Sequence, residues 1–430
     1  MGAVRTAAAG YIEDHGLYEM PGILTPEERQ RLRELAKQIK DAAREQSQIA
    51  IGEEWKRHNS LKPGRPMLFV QPEMAWTQIP VGEPTIQAPF FRHWEWYMMH
   101  LLYRREHFPD DMAVVDVLDV PYLTRETGWG LEPTFTYDGL SYRWDAPLKD
   151  ESMIDQVKLP HILYDEAGSK ARLDALQDAV GDILRVEPYG YRIEANLATE
   201  ICFLRGLQQV YVDMVDRPEF VHRLMELIAQ GVEGLLNEME AFGLLTLNNR
   251  AHYTDSGGMG WTDELPAPGF GGTVRPQDQW GFGLAQEFSD VSPQMHDEFM
   301  LQYQSRILNR FGLVAYGCCE PLTRKFDILK KRVKNLRRVS ISPWCSIEAA
   351  AEACAGQYLF SWKPQPSMLL GSFDAEAIRG YVRSTLDVAR DCNVEILLKD
   401  VLNLEGHPER LDMWSAIVRE EMDRFCQKYR

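Results

Sequence analysis

The sequence predicts an α/β fold in which helices cover a parallel sheet, preceded by an N-terminal helical extension. From about residue 170 onward, short apolar segments rich in β-branched and aromatic residues alternate with helical segments of ten or more residues. This alternation is typical of a parallel sheet with helices on its outer faces. Residues 1–65 lack the alternation and carry an apolar stripe at helical spacing instead.

The N-terminal extension begins with a clear helix start. Thr25 can cap the helix, Pro26 suits its first position, and Glu28 can reach back to the cap. Leu32, Leu35, Ile39 and Ala42 then continue the apolar stripe. Two prolines and a glycine in residues 61–66 stop the helix. We therefore expect a helical cap over residues 1–65 and one further domain over residues 66–430.

Nine strands and nine further helices are expected in the second domain. The predicted strands are Met67–Val70, Ala113–Val120, Tyr191–Ala195, Leu244–Asn248, Gly281–Ala285, Leu313–Tyr316, Arg338–Ile341, Tyr358–Trp362 and Val394–Leu398. The predicted helices are Phe91–Phe108, Ala171–Leu184, Ile201–Met214, Pro218–Phe242, Pro293–Phe311, Leu322–Lys331, Ile347–Ala355, Ala375–Cys392 and Pro408–Tyr429. A long excursion with hairpin character at 128–159 and a glycine-rich loop at 249–280 interrupt this pattern, and long loops in compact domains tend to be functional.

The charge balance limits the classes of partner. The chain carries 64 acidic and 47 basic residues, a net charge of −17, which repels nucleic-acid phosphates and anionic lipid surfaces. Its apolar runs are too short to span a bilayer and it lacks a secretory signal, so we expect a cytoplasmic protein. In that reducing compartment the seven cysteines are expected to be free thiols or metal ligands. The basic run from Arg324 to Arg338 is interpreted as the solvated face of a helix.

Polar, metal-capable residues follow four of the predicted strands. The most specific group is Cys318-Cys319-Glu320, after Leu313–Tyr316, because two thiols and a carboxylate suit Zn²⁺. Both cysteines can serve one metal only if the strand ends before them; otherwise one packs in the core and the other caps the next turn. Lys399-Asp400, after the last strand, is either a catalytic acid–base pair or a salt link between loops. Glycine-rich nucleotide-binding motifs are absent from the strand ends.

Other residues are candidates for substrate binding or catalysis. Tyr316 ends the strand before Cys318 and is a catalytic candidate together with Glu320, Lys399 and Asp400. The substrate-binding candidates lie in the long loop, after strands or within the predicted helix Ile201–Met214, and they are His252, Tyr253, Asp255, Trp344, Lys363 and Arg205. For each of them a packing or surface role is the competing interpretation.

An ordered series of short motifs resembles the uroporphyrinogen decarboxylase-like superfamily. The motifs are Arg205-Gly206 through Asp216-Arg217-Pro218, Phe288 through Pro293 with Phe299, Lys363-Pro364-Gln365-Pro366 with the helix after it, and residues 405–411. The resemblance covers roughly residues 65–425 and implies that the sheet closes into a (β/α)8 TIM barrel. Active sites of such barrels lie at the carboxyl ends of the strands.

The superfamily resemblance implies two chemistries. Its zinc-dependent methyltransferases pass methyl groups to or from a corrinoid protein or a thiol, binding zinc with His-x-Cys at a strand end and a further Cys at the last strand. Here the matching residues are Tyr316-Gly317-Cys318 and Lys399-Asp400, so only one cysteine is kept, and Cys319, Glu320 and Asp400 are the substitute ligands. Its decarboxylases hold substrate carboxylates with an Arg-Gln-Ala-Gly-Arg loop, which residues 63–72 lack.

We therefore expect a methyltransferase that moves a methyl group between a small methylated substrate and a corrinoid protein or thiol, with zinc as Lewis acid. The alternative is a metal-free decarboxylase or lyase in which Asp400 or Glu320 supplies a proton and Lys399 or Arg205 holds a carboxylate. A binding protein without catalysis ranks third. Besides the substrate and a corrinoid protein, a second copy of the chain is a further candidate partner.

Overall fold

The structure, a computed structural model, describes residues 16–138, 141–190, 193–254 and 256–430. Its helices are α1 (Pro26–Ala43), α2 (Gln46–Asn59), α3 (Pro89–His107), α4 (Glu166–Val180), α5 (Leu197–Arg205), α6 (Leu207–Asp216), α7 (Pro218–Ala241), α8 (Pro293–His296), α9 (Gln302–Leu308), α10 (Phe326–Arg332), α11 (Ile347–Cys354), α12 (Ala375–Val388) and α13 (Glu409–Tyr429). Its strands are β1 (Met67–Val70), β2 (Val117–Pro121), β3 (Thr124–Glu126), β4 (Thr134–Asp138), β5 (Ser141–Asp145), β6 (Ile162–Tyr164), β7 (Arg185–Tyr189), β8 (Trp280–Gly283), β9 (Leu313–Tyr316), β10 (Leu336–Ile341), β11 (Leu359–Trp362) and β12 (Asn393–Leu398).

A six-stranded sheet with the order β1-β12-β11-β10-β9-β8 organises the molecule, and every pair in it is parallel. Strands β2 and β7 form a separate parallel pair, and a single bridge joins Ala195 to Gly283 of β8. The predicted parallel sheet with covering helices is confirmed. Within the described residues the hydrogen-bonded parallel sheet has six strands and does not close into a ring of eight. The closed barrel therefore stays a prediction.

The two faces of this sheet differ in chemistry. Val339, Phe360 and Ile396 face the helices and pack in the main apolar core with Leu386 and Val418. On the opposite face, Met67, Phe69 and Leu397 pack against Trp55 of α2 and Met259 of the long loop. Because side chains alternate along a strand, Glu395, Leu397 and Lys399 follow one another along this inner face toward the carboxyl end of β12.

Predicted elements differ from the structure in several places. Leu244–Asn248 is not a strand; instead the Asn248 side chain accepts from Trp280 N at 2.8 Å and donates to Trp280 O at 2.9 Å. The third predicted strand lies earlier, at Arg185–Tyr189, while residues 191–192 are outside the described part. The predicted helix Ile201–Met214 is two helices, because Gly206 between them has a φ of 88°.

The N-terminal segment forms two helices, and the expected capping box of Thr25 and Glu28 is present on the first. The excursion after β2 contains an antiparallel hairpin of β4 and β5, with Trp144 donating to Cys202 O on α5. None of the helices in the described ranges is long and apolar enough to cross a membrane.

Candidate active site

Two adjacent thiols lie just beyond the carboxyl end of β9. The strand ends at Tyr316, Gly317 turns the chain with a φ of 93°, and the sulfurs of Cys318 and Cys319 are 3.5 Å apart. The Glu320 carboxylate fixes this turn by accepting from Cys318 N at 2.8 Å and from Ala285 N at 2.9 Å. Ser340 on β10 donates to the Cys318 carbonyl at 2.9 Å. The pair thus satisfies the condition that the strand ends before both cysteines.

A lysine from the last strand meets the first of these thiols. Lys399 follows β12, and its Nζ lies 3.6 Å from Cys318 Sγ and 3.8 Å from Asp400 Oδ1. Burial opposes the lysine charge, but Cys318, Tyr253 and Asp400 raise the pKa of Lys399 well above its usual value. Lys399 therefore carries a positive charge beside the Cys318 sulfur.

The surroundings of Cys318 favour its thiolate. A hydrogen bond from the Cys319 thiol, the Lys399 charge and the Ser256 side chain together lower the pKa of Cys318 to about 7, against burial and the Glu320 charge. The same interaction, with burial, raises the pKa of Cys319. Near neutral pH Cys318 is therefore partly a thiolate while Cys319 stays a thiol, and the thiolate is the nucleophilic form.

Strained backbone accompanies this pair. Three non-glycine residues around it have positive φ values: Glu73 at 51°, Ser256 at 42° and Asp400 at 59°. The charge of Glu73 raises the pKa of Lys399, and the Ser256 side chain lowers the pKa of the Cys318 thiol. Such conformations cost free energy and concentrate at functional sites.

A second lysine lies on the same face of the sheet. Lys363, directly after β11, is buried and donates to Ser361 Oγ at 2.8 Å and to Ser361 O at 3.1 Å. Burial lowers the pKa of Lys363 to about 7; the nearby Lys399 adds to this effect and Glu395 opposes it. Lys363 is thus present partly as a neutral amine near neutral pH.

A buried ion pair lies deeper on this face. Arg338 Nε is 2.8 Å from Glu395 Oε1, and His58 Nε2 is 3.2 Å from Glu395 Oε2. Arg338 also donates to Asn59 and to Thr254. Burial alone would raise the pKa of Glu395, but Arg338 and His58 hold it well below its usual range. This network ties α2, the long loop and two strands together beneath the thiols.

An aromatic-lined cavity of about 50 Å³ lies between β1, α3 and the long loop. Its aromatic residues are Phe69, Trp76, Trp96, Tyr97 and Tyr253. Tyr253 stacks on Phe69 with ring centroids 5.2 Å apart, and it raises the pKa of Lys399. Tyr253 therefore belongs both to the cavity and to the surroundings of the Cys318–Lys399 pair.

Several candidates from the sequence are held elsewhere. The Tyr316 hydroxyl faces the helices, where it donates to Gln304 at 2.9 Å and lies 3.1 Å from His296 Nε2. Arg205 is buried against Asp213, at 2.7 Å, and donates to the carbonyls of Leu148 and Lys149. Both residues therefore serve packing and helix connection rather than the thiol pair.

The remaining candidates divide between the periphery and the undescribed part of the chain. His252 stacks on Tyr189 at 5.3 Å between centroids and lies 3.2 Å from Asp119 Oδ2. Trp344 is exposed, with 72% of its surface accessible. Asp255 lies outside the described residues. The structure thus brings together Cys318, Cys319, Lys399, Asp400, Lys363 and Tyr253.

The donors near Cys318 do not form a zinc site in this arrangement. Among the described residues there is no group of three or more His, Cys, Asp or Glu side chains that could hold a metal ion. Both Glu320 oxygens already accept backbone N–H groups, and Lys399 Nζ lies beside the sulfur that would be the first ligand. A positive side chain therefore already lies beside the Cys318 sulfur.

Ser256 and the buried ion pair are not among the site residues that the sequence predicts. The basic run predicts a solvated Arg338, but Arg338 lies in β10, is buried and is paired with Glu395. A charged residue inside an otherwise apolar strand, as at Glu395 in β12, is a usable signal, because such residues are rarely buried without a partner.

None of the protein-family models matches this chain, and neither does any curated protein. Among solved structures, a methyltransferase from Methanosarcina mazei is similar to it, covering 87% of this chain and 98% of that one with a TM-score of 0.46 and 9% identity. A likeness at this level does not extend to activity, and the function has to rest on the site itself.

Proposed function

We propose that the chain is a methyltransferase in which the Cys318 thiolate accepts a methyl group from a small donor and passes it to a thiol. The observation that carries the proposal is the distance of 3.6 Å between Cys318 Sγ and Lys399 Nζ, at the carboxyl edge of a parallel sheet. The superfamily resemblance supports the same reaction class.

In the proposed transfer the Cys318 sulfur attacks the methyl carbon in line with the bond to the donor heteroatom. The S–C bond forms as the bond to the heteroatom breaks, and the electron pair stays on the heteroatom. If the donor is an ether, the Lys399 ammonium supplies the proton that the leaving oxygen needs; if it is an ammonium ion, the amine leaves neutral. A small acceptor thiol then loses its proton, to the Lys399 amine in the ether case and to the released amine otherwise, and its thiolate takes the methyl group and restores the Cys318 thiolate.

The cavity supports a small donor. Aromatic rings around about 50 Å³ suit the methyl end of a donor through apolar contact, whereas a cavity that holds a whole benzene ring is about three times as large. Tyr253 lines this cavity and also raises the pKa of Lys399, so it links the cavity to the surroundings of the thiolate.

Zinc and a corrinoid protein stay predictions drawn from the resemblance. Cys318 would be the first zinc ligand, and a bound zinc ion would polarise the donor heteroatom or the acceptor thiol. Because the described donors do not complete such a site, the proposed step uses the Lys399 charge instead. Metal content measured by plasma mass spectrometry on protein purified without chelator, for the wild type and Cys318→Ser, tests zinc directly.

The test of methyl transfer uses deuterium-labelled donors of two classes, methoxybenzoates and methylamines, with 2-mercaptoethanol as acceptor. Wild type should form the labelled thioether, and Cys318→Ser should lose the activity by at least about 100-fold, because nucleophile and ion pair vanish together. Cys426→Ser, which removes a half-buried thiol on α13, is the matched control and should keep the wild-type rate. Equal rates in wild type and Cys318→Ser would refute the proposal.

One observation favours a second function, a decarboxylase or lyase. Two lysines, Lys363 and Lys399, lie on one face of the sheet, where they could together bind a substrate carboxylate and neutralise its charge. The C–C bond to the carboxylate would break, carbon dioxide would leave, and the electron pair on carbon would take a proton from a lysine ammonium. Release of carbon dioxide that survives Cys318→Ser and is lost in Lys363→Met would favour this function over methyl transfer.

A further inference from the structure

The adjacent thiols are chemically unequal and mutually accessible. Their sulfurs are 3.5 Å apart, Cys319 is exposed, and Cys318 is partly exposed. Lys399 Nζ lies 3.6 Å from the Cys318 sulfur and from there can stabilise a thiolate. A thiolate next to a free thiol is the arrangement in which an oxidised cysteine is captured by its neighbour.

We propose that Cys318 and Cys319 form a reversible vicinal disulfide when the protein meets hydrogen peroxide, and that this bond switches the site off. The pair has the three features that this chemistry needs: a sulfur beside a positive charge, a second sulfur within contact distance, and access from solvent. The disulfide itself does not depend on methyl transfer; its inhibitory effect rests on the proposed function.

The reaction balances with one peroxide. The Cys318 thiolate attacks a peroxide oxygen, an S–O bond forms, and the O–O bond breaks to release hydroxide. The Cys319 sulfur then attacks the Cys318 sulfur, the S–S bond forms, and the S–O bond breaks with loss of the oxygen as water. Two thiols lose two electrons and two protons in total, and the peroxide is reduced to two water molecules.

The other cysteines are poorer targets, which makes the reaction selective. Cys202, Cys345, Cys354 and Cys392 are buried. Burial raises the pKa of Cys392 to about 12 and also raises the pKa of Cys354. Cys354 and Cys392 therefore stay protonated near neutral pH, and a thiol reacts with peroxide much more slowly than a thiolate.

The product is expected to be easily reduced. The Cα atoms of adjacent residues are about 3.8 Å apart across a trans peptide, whereas disulfides prefer a Cα separation of roughly 4.4–6.8 Å. A bond forced into the shorter spacing is strained and has a more oxidising potential. The bond would therefore act as a reversible switch rather than as a structural crosslink.

The test treats the full-length protein with stoichiometric hydrogen peroxide and digests it with trypsin. Cleavage after Arg310 and Arg324 gives a peptide, Phe311–Arg324, that contains Cys318 and Cys319 and no other cysteine. This peptide should lose two hydrogens, and dithiothreitol should restore its mass. Dimedone, which labels sulfenic acid, should label Cys318 in the Cys319→Ser variant and leave the wild type unlabelled, with Cys426→Ser behaving as wild type.

Three results would overturn the inference: a peptide that gains oxygen without losing hydrogens, equal dimedone labelling of wild type and Cys319→Ser, or oxidation of Cys426 before this pair. The mass result is separate from activity. If the disulfide forms while methyl transfer continues at the same rate, the switch is refuted; if the reduced protein shows no transfer at all, the proposed function fails and the disulfide stands.

Discussion

At the scale of single residues, interior charges are matched to partners within hydrogen-bonding distance. Glu395 has no accessible surface, yet it contacts Arg338 at 2.8 Å and His58 at 3.2 Å. Gly258 N also donates to it, at 3.1 Å. Removing one charge of such a group leaves the other buried without compensation, which costs far more than the intact pair contributes.

Glu395→Gln should therefore lower the free energy of unfolding by about 3–5 kcal/mol, because the Arg338 charge stays buried. Urea denaturation measures this loss. Glu376→Gln removes a carboxylate whose side chain is 85% exposed and is the control, with little expected change. A loss for Glu395→Gln as small as for Glu376→Gln would show that the pair is not buried as described.

At the scale of elements, the sequence predicts correctly those strands that are continuous apolar runs. It does not reveal where a side chain makes the hydrogen bonds that a strand backbone would make. Met67–Val70 and Leu313–Tyr316 match the structure residue for residue, since each is a continuous apolar run bounded by breakers. Leu244–Asn248 is also rich in apolar residues, but there the Asn248 side chain, and not a strand backbone, makes the hydrogen bonds to Trp280. The position of Cys318 also depends on the turn at Gly317. In the sequence this turn is visible only as a single glycine.

Gly317→Ala tests that turn. Its φ of 93° is strained for alanine, and the added Cβ would lie 2.7 Å from a Leu322 methyl group. The substitution should cost about 1–2 kcal/mol of stability, and by displacing Cys318 it should slow methyl transfer by about 10–100-fold. Gly269→Ala has a φ of 81° with no atoms nearby, so it carries the backbone cost without displacing the thiol. Equal effects of the two variants on transfer would contradict the role of the turn.

At the scale of the whole molecule, the parallel sheet could be predicted from the sequence, and the site only in part. The alternation of strands and helices indicates which ends meet, so Cys318 and Lys399 were expected at one edge. The sequence could not show that Tyr316 points to the helices, nor that Glu320 is used by two backbone N–H groups. Such orientations depend on register and turns, which periodicity does not determine.

Buried neutral histidines should make the whole fold sensitive to mild acid. Burial lowers the pKa of His58, despite its hydrogen bond to Glu395, and lowers the pKa of His296 to about 3. The unfolded chain takes up these protons below the usual histidine value of about 6.5, whereas the folded chain does not, so stability falls as the pH falls. His296 should contribute a slope of about 1.4 kcal/mol per pH unit between about pH 6.5 and pH 3, and His58 adds a contribution of the same sign.

Urea midpoints measured from pH 7.5 downward check this dependence. His296→Gln should reduce the slope of unfolding free energy against pH by about 1.4 kcal/mol per pH unit, the contribution of one proton. An unchanged slope in that variant would mean that His296 titrates equally in the folded and unfolded chains.

The most direct test of the central claim, a Cys318 thiolate held by Lys399, is the pH dependence of iodoacetamide alkylation followed on the peptide Phe311–Arg324. Wild type should show Cys318 alkylation with a midpoint near pH 7. Lys399→Met should move that midpoint upward by about 1–3 pH units, because the opposite charge is lost. A midpoint that stays the same in Lys399→Met, or alkylation that falls on Cys319 first, would contradict the account.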